Sequence, residues 1–214
     1  MTYLELVNDV LNRLRESSVA TVTETDYSSL IGKFVNDAKK QVEDAWRWNV
    51  LNTTIIVNTS AGVSQYTVTG SGKRFSVVSV NDTTNKGILF PMPISQIRDA
   101  QQLSTISNGV PGNYAFNGET GGNSNVELFP TPNGTYAIKF NLFVPQADLS
   151  TGSTELLVPS EPVVAFAYAR ALVERGEDGG LSSSEAYGLA RSILSDAIAI
   201  ESNRGIENDI WIPV

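Results

Sequence analysis

The sequence predicts an α+β chain: a helical bundle built from both chain ends, two helices from each, with an antiparallel β insert and an extended C-terminal tail. Three observations carry this. Apolar residues recur at helical spacing from Tyr3 to Trp46 and again from Ser160 to Arg204. From Asn52 to about Ala147 the chain turns instead to Thr, Val, Asn, Gly and aromatic residues, broken by turn dipeptides. After Arg204 come ten residues, GIENDIWIPV, that end on Ile210, Trp211, Ile212, Pro213 and Val214, where chain ends are ordinarily polar.

Taken in order, the first helix opens with Thr2 as N-cap and Glu5 completing a capping box. Tyr3, Leu6, Val7, Val10, Leu11 and Leu14 form its apolar stripe. A polar linker, SSVATVTETD, follows. The second helix starts at Asp26, a good N-cap residue, and spans about 24 residues, or roughly 36 Å. Its stripe runs from Leu30 to Trp46, with Lys33, Lys39, Lys40, Glu43 and Asp44 lying off it. Trp48, two residues on, points elsewhere.

In the middle region TTIIVN, SQYTVT, RFSVVSV and KGILFPM read as strands, and PISQIRDAQQL is a candidate short helix. The clearest strand is TYAIKFNLFV, with Tyr136, Ile138, Phe140, Leu142 and Val144 on one face. Such alternation marks a half-buried antiparallel strand. Asn133-Gly134 supplies the turn before it. Helices return with SEPVVAFAYARALVERG, apolar almost all round from Val163 to Val173 and so buried on most sides. The last helix has Ser182 and Glu185 as a second capping box, with Leu189, Ile193, Ala197 and Ile200 along one side. The expected domains are residues 1–51 with 160–203 (helical), 52–159 (β-rich) and 204–214 (tail).

Composition limits the chemistry. The chain has 214 residues, 41% hydrophobic and 18% charged, which suits a globular protein with one core or two small ones. It has no Cys and no His, which removes disulfides, thiolate metal sites, Cys nucleophiles, the Ser-His-Asp triad and His-based zinc or proton-shuttle chemistry. With 15 Lys and Arg against 23 Asp and Glu, the net charge of −8 makes binding to phosphate backbones by bulk charge unfavourable. No apolar run reaches the ~18–20 residues of a membrane span, and the opening residues lack the pattern of a signal peptide.

No motif rises to an enzyme. TGSGKRF at 69–75 has Thr67 where a phosphate loop needs its first Gly, and Arg74 where it needs a hydroxyl; a hairpin loop is expected. Glu174, Glu177 and Asp178 are acidic but lack calcium-loop spacing, and a solvated turn is the simpler reading. NTT, NTS, NDT and NGT match the glycosylation pattern as an Asn- and Thr-rich region does by chance. Phe34, Trp46 and Trp48 are read as packing beneath the β insert rather than as an aromatic platform.

The order of the pieces resembles a known family. MTYLELVNDVLNRLRE, DAWRWNVL, GVPGNYAF…VELFPTPNGTYAIKFNLFVP and LLVPSEPVVAFAYARALVERGED together are similar to head-to-tail adaptor (connector) proteins of tailed bacteriophages, most like the short-tailed-phage adaptors (tail tubular protein A, gatekeeper-like). Gly109, Pro111 and Tyr114, with Leu128, Pro130, Pro132 and Gly134, carry most of the likeness. The resemblance implies a dodecameric ring in the virion, assembled in the host cytoplasm. Its helical part would face the portal protein and its β part the tail nozzle protein, with genomic DNA passing through the channel. It implies no cofactor, no membrane and no catalysis. The tail, residues Ile210 to Val214, is the expected anchor to a neighbour or to the portal, the alternative being a tail folded back on its own bundle. Two alternatives stay open: another tail-completion or receptor-binding module, and a carboxylate-dependent cell-wall hydrolase.

Overall fold

The computed structural model describes residues 1–103, 108–176 and 181–204. The chain divides into two compact units, Met1–Val50 with Gln146–Val214, and Leu51–Pro145.

In the first unit, α1 (Tyr3–Arg13) begins with the capping box its sequence predicts. The Glu5 N–H donates to Thr2 Oγ1 at 3.3 Å and the Thr2 N–H to Glu5 Oε2 at 2.8 Å. Helix α2 (Asp26–Ala45) is capped by Thr25 rather than Asp26, and its 20 residues span about 30 Å. It stops before the tryptophans: Trp46, expected to continue the buried stripe, leaves it, while Trp48 finds cover of its own off that stripe. Trp46 has extended backbone and is 41% exposed. Trp48 is 1% exposed, and its indole N–H donates to the Val42 carbonyl at 2.7 Å, meeting one of the free carbonyls at the helix end.

Helix α4 (Ser160–Arg175) is the centre of this unit. It packs against α1, α2 and α5 (Leu181–Ser202). Val163, Phe166, Ala167, Ala169 and Ala171 are all buried, as its apolar circumference predicts. Gly176 ends it in the left-handed conformation (φ 63°). In its last turn Arg175 joins the start of α2 to the chain that follows α1: Nε donates to Tyr27 Oη at 2.9 Å, one terminal nitrogen to the Leu14 carbonyl, and the other to the Glu16 carboxylate. The hydrogen bond to Tyr27, with Glu16 beside it, raises the Arg175 pKa above its already high ordinary value.

Two charged side chains predicted to lie off the α2 stripe are in the core. Lys39 and Glu43 have no side-chain exposure and pair at 3.3 Å. The Lys39 ammonium also donates to the Gln146 and Ala147 carbonyls, and Glu43 accepts from the Gln146 N–H. Asn36, one turn earlier, exchanges two hydrogen bonds with the backbone of Leu149. Polar residues on one face of α2 thus bind the main chain of 146–149 where it rejoins the helices, giving buried peptide groups their partners.

Gly32, in the middle of α2, marks a close approach. A Cβ there would lie 2.4 Å from Tyr3 Oη and 2.9 Å from Val22 Cγ1. Burial raises the Tyr3 phenol pKa, and its hydroxyl accepts from Asn36 Nδ2. Helix propensity alone would reward Gly→Ala by about 1 kcal/mol. We expect Gly32→Ala to lower stability instead, by about 1–3 kcal/mol of overpacking strain. Urea unfolding checks this, and a raised midpoint would contradict the close approach.

Among the described residues the second unit has nine strands: β1 (Asn52–Asn58), β2 (Gln65–Thr67), β3 (Ser76–Asp82), β4 (Gly87–Pro91), β5 (Asn108–Gly109), β6 (Asn113–Thr120), β7 (Asn123–Phe129), β8 (Thr131–Pro132) and β9 (Ala137–Phe143). A helix, α3 (Ile94–Leu103), follows β4. Seven strands form one sheet in the order β1-β9-β3-β4-β6-β7-β2; β5 and β8 pair separately. The edge strands β1 and β2 are consecutive in the chain, and Ile55 of β1 comes within 3.7 Å of where a Gly70 Cβ would stand, so the sheet curls into a nearly closed barrel. Val57, Val80, Leu89, Val126, Leu128, Ile138, Phe140 and Leu142 fill it. Ile138, Phe140 and Leu142 point inward, as the alternation in β9 predicts.

The fold is therefore mixed α/β, with a nearly closed seven-stranded barrel and five α-helices among the described residues. It is not the predicted helical bundle carrying an antiparallel β insert. The barrel is a unit with its own core, and the pairing is not wholly antiparallel: β4 and β6 run parallel, Phe90 opposite Asn113. A parallel pair needs a crossover, and α3 lies within it. Strands β6 and β7 were not among those read from the sequence. They form a hairpin on Gly121-Gly122, both at positive φ (57° and 78°), and that Gly-Gly turn was the available signal.

Candidate assembly surfaces

The tail residues Ile210, Trp211, Ile212, Pro213 and Val214 lie outside the described residues, as do Glu177 and Asp178. Glu174 is exposed on the last turn of α4. Among the described residues no cluster of three or more Asp or Glu side chains could hold a metal ion, and no helix is long and apolar enough to cross a membrane.

The glycine loop at 69–73 is not a hairpin. It joins β2 to β3, which are not neighbours in the sheet. Its amides already have an acceptor: the N–H groups of Gly70 and Gly72 converge on Asn123 Oδ1 at 2.9 and 3.4 Å. A phosphate loop leaves such N–H groups free for its ligand; here a side chain of β7 occupies the position. Phe34, Trp46 and Trp48 form no shared platform, since Trp48 is buried and Trp46 exposed.

What the structure presents is exposed apolar surface on both units. On α5 the predicted stripe is only partly covered. Leu189 is 63% and Ile200 61% exposed, with Ile193 and Ala197 half-buried between them. Beside its last turns lies a groove of about 340 Å³, walled by Pro159 and Pro162 at the start of α4 and by Ile193, Ala197 and Ile200. Glu201 closes one end, accepting from the Asn49 N–H at 3.0 Å and pairing with Arg204 at 3.2 Å.

On the barrel, Ile56, Val78, Ile88 and Phe90 point outward and are exposed. Across β1, β9 and β3 runs a polar ladder, Thr54 Oγ1 donating to Asn141 Oδ1 at 2.7 Å and Asn141 Nδ2 to Ser79 Oγ at 2.9 Å. Exposed apolar side chains flanking a satisfied polar centre are chemistry suited to contact with protein.

These surfaces belong to a chain nearly all of which fits one family model: that of the SU10 adaptor protein matches residues 1–207. The chain belongs to the SU10 adaptor protein family. No curated protein matches it in sequence. Membership makes it a phage adaptor, a structural component of the virion that takes part in viral assembly. For an SU10-family adaptor, the exposed apolar side chains of α5 and of the barrel wall are the natural places to look for contacts with other virion components. The sequence showed the α5 stripe but not that it stays open, because spacing gives a face and not its cover.

Proposed function

We propose that the chain is a ring subunit at the head–tail junction, of the kind found in short-tailed phages, with copies (a dodecamer on the resemblance) surrounding a channel for the genome. The observation that carries this is exposed apolar surface on unlike elements, Leu189 and Ile200 on α5 and Ile88 and Phe90 on the barrel. Ring contacts are heterologous: each subunit offers two different faces, whereas an isologous dimer needs one. The net charge of −8 supports the channel role, since an acidic wall repels DNA rather than holding it. In this reading the helical unit meets the portal protein and the β unit the nozzle protein. Ile210, Trp211 and Ile212, stiffened by Pro213, anchor the subunit to a neighbour or to the portal. Its role is mechanical, with no cofactor and no catalytic step.

Imaging of intact particles tests the reading. The expected result is density for this chain as a closed ring between portal and nozzle. A single spike at the tail tip, or absence from mature particles, would overturn it.

A further inference from the structure

We propose that the groove between the start of α4 and the last turns of α5 docks a segment of a partner polypeptide carrying a large apolar side chain flanked by Lys or Arg. The floor is apolar: Pro159, Pro162, Ile193, Ala197 and Ile200. Its volume of about 340 Å³ is at the small end of ligand pockets, room for a short stretch of side chains rather than a whole helix.

Charge selects the occupant. Glu161 from α4 and Asp196 from α5 stand exposed on the two walls, and Glu201 lies at the end, against one guanidinium, that of Arg204. Arg204 pairs with Glu201, which also holds the Asn49 N–H, so the Glu161 and Asp196 carboxylates set the field at the mouth. The positive end of the α4 dipole is met by Glu161 in its own first turn. An apolar floor under an acidic rim favours apolar-and-basic segments and disfavours acidic ones.

That selection bears on this chain's own last residues. GIENDIWIPV has the apolar centre but brings Glu207 and Asp209, with no Lys or Arg. The groove is mismatched to it, whether it comes from the same copy or from another, and the occupant is a basic segment of a different chain. This inference stands independently of the ring.

The test uses the full chain and three fluorescein-labelled peptides in anisotropy titrations: KRWIKR, EEWIEE and GIENDIWIPV. The expected result is saturable binding of KRWIKR alone, weakened about tenfold, or about 1.4 kcal/mol, by Asp196→Lys and by Ile200→Ser. Both positions are exposed, and unchanged unfolding midpoints would confirm that the variants fold. Asp99→Lys, the same charge change on α3 of the β unit, should leave binding unaltered. The proposal is overturned if KRWIKR shows no saturable binding, if either acidic peptide binds as well, if Asp99→Lys weakens binding as much as Asp196→Lys, or if the two groove variants have no effect. The peptide comparison is made on the unaltered chain, so it stands even if a variant misfolds.

Discussion

Replacing Lys39 with Met is expected to destabilise the helical unit by about 3–5 kcal/mol, the cost of breaking a buried ion pair from one side. Its ammonium lies 3.3 and 3.4 Å from the two Glu43 oxygens and is also accepted by the Gln146 and Ala147 carbonyls. Neither side chain has solvent exposure. Without the ammonium, the Glu43 carboxylate stays in the core with its close cationic contact gone, and two peptide carbonyls lose a donor. Total stabilities run at about 5–15 kcal/mol, so the loss is a large fraction of what holds the unit folded. Lys39→Met with Glu43→Gln should recover much of it, because the stranded charge is then gone, though the two carbonyls remain short of a donor. Urea unfolding followed by Trp48 fluorescence measures both. A change below about 1 kcal/mol for Lys39→Met would mean the pair behaves as a solvated surface bridge.

Removing residues 205–214 should have the opposite profile, a fold left intact and an assembly lost. The core of the helical unit is made by α1, α2, α4 and α5, all of which lie before residue 205, with Leu6, Val10, Ile31, Val35, Phe166 and Ala190 fully buried. The shortened chain should therefore keep its unfolding midpoint to within about 0.5 kcal/mol, the range of neutral changes. If Trp211 and its flanking isoleucines are the anchor to a neighbour or the portal, their loss removes an interface hot spot of about 2–4 kcal/mol, more than about thirtyfold in affinity. Complementation with the truncated chain should give particles that lack it, and Trp211→Ala alone should reproduce most of the defect. A truncated chain that unfolds in isolation would place the tail in its own core, and one that assembles normally would remove the anchor from the account.

What could be read in the sequence was local. The Thr2–Glu5 box, the alternation of β9 and the apolar circumference of α4 each depend on side chains within one element, and each stands in the structure. What escaped depends on distant partners. Lys39 and Glu43 are spaced like any solvated i,i+4 pair; only the return of residues 146 and 147, over a hundred positions on, makes them core residues. The first strand of the barrel, β1, pairs with the last, β9, Ile55 opposite Phe140, a register no local pattern contains. Trp46 was misplaced on the buried stripe because α2 ends at Ala45, one residue before that stripe does. At the candidate surfaces, the apolar stripe of α5 was visible as spacing, whereas its exposure and the groove beside it follow from where α4 begins.

The pairing of β1 with β9 also bears on how such a chain can change. Asn52 lies opposite Phe143, and the Val144 N–H donates to the Leu51 carbonyl at 3.0 Å. The strand that opens the barrel and the strand that closes it are therefore neighbours, about 5 Å apart. A linker of a few residues could span that gap in place of the whole barrel. In genetic terms residues 51–145 form a cassette: recombination at its two adjoining ends would exchange one barrel for another and leave the helical reading frame untouched.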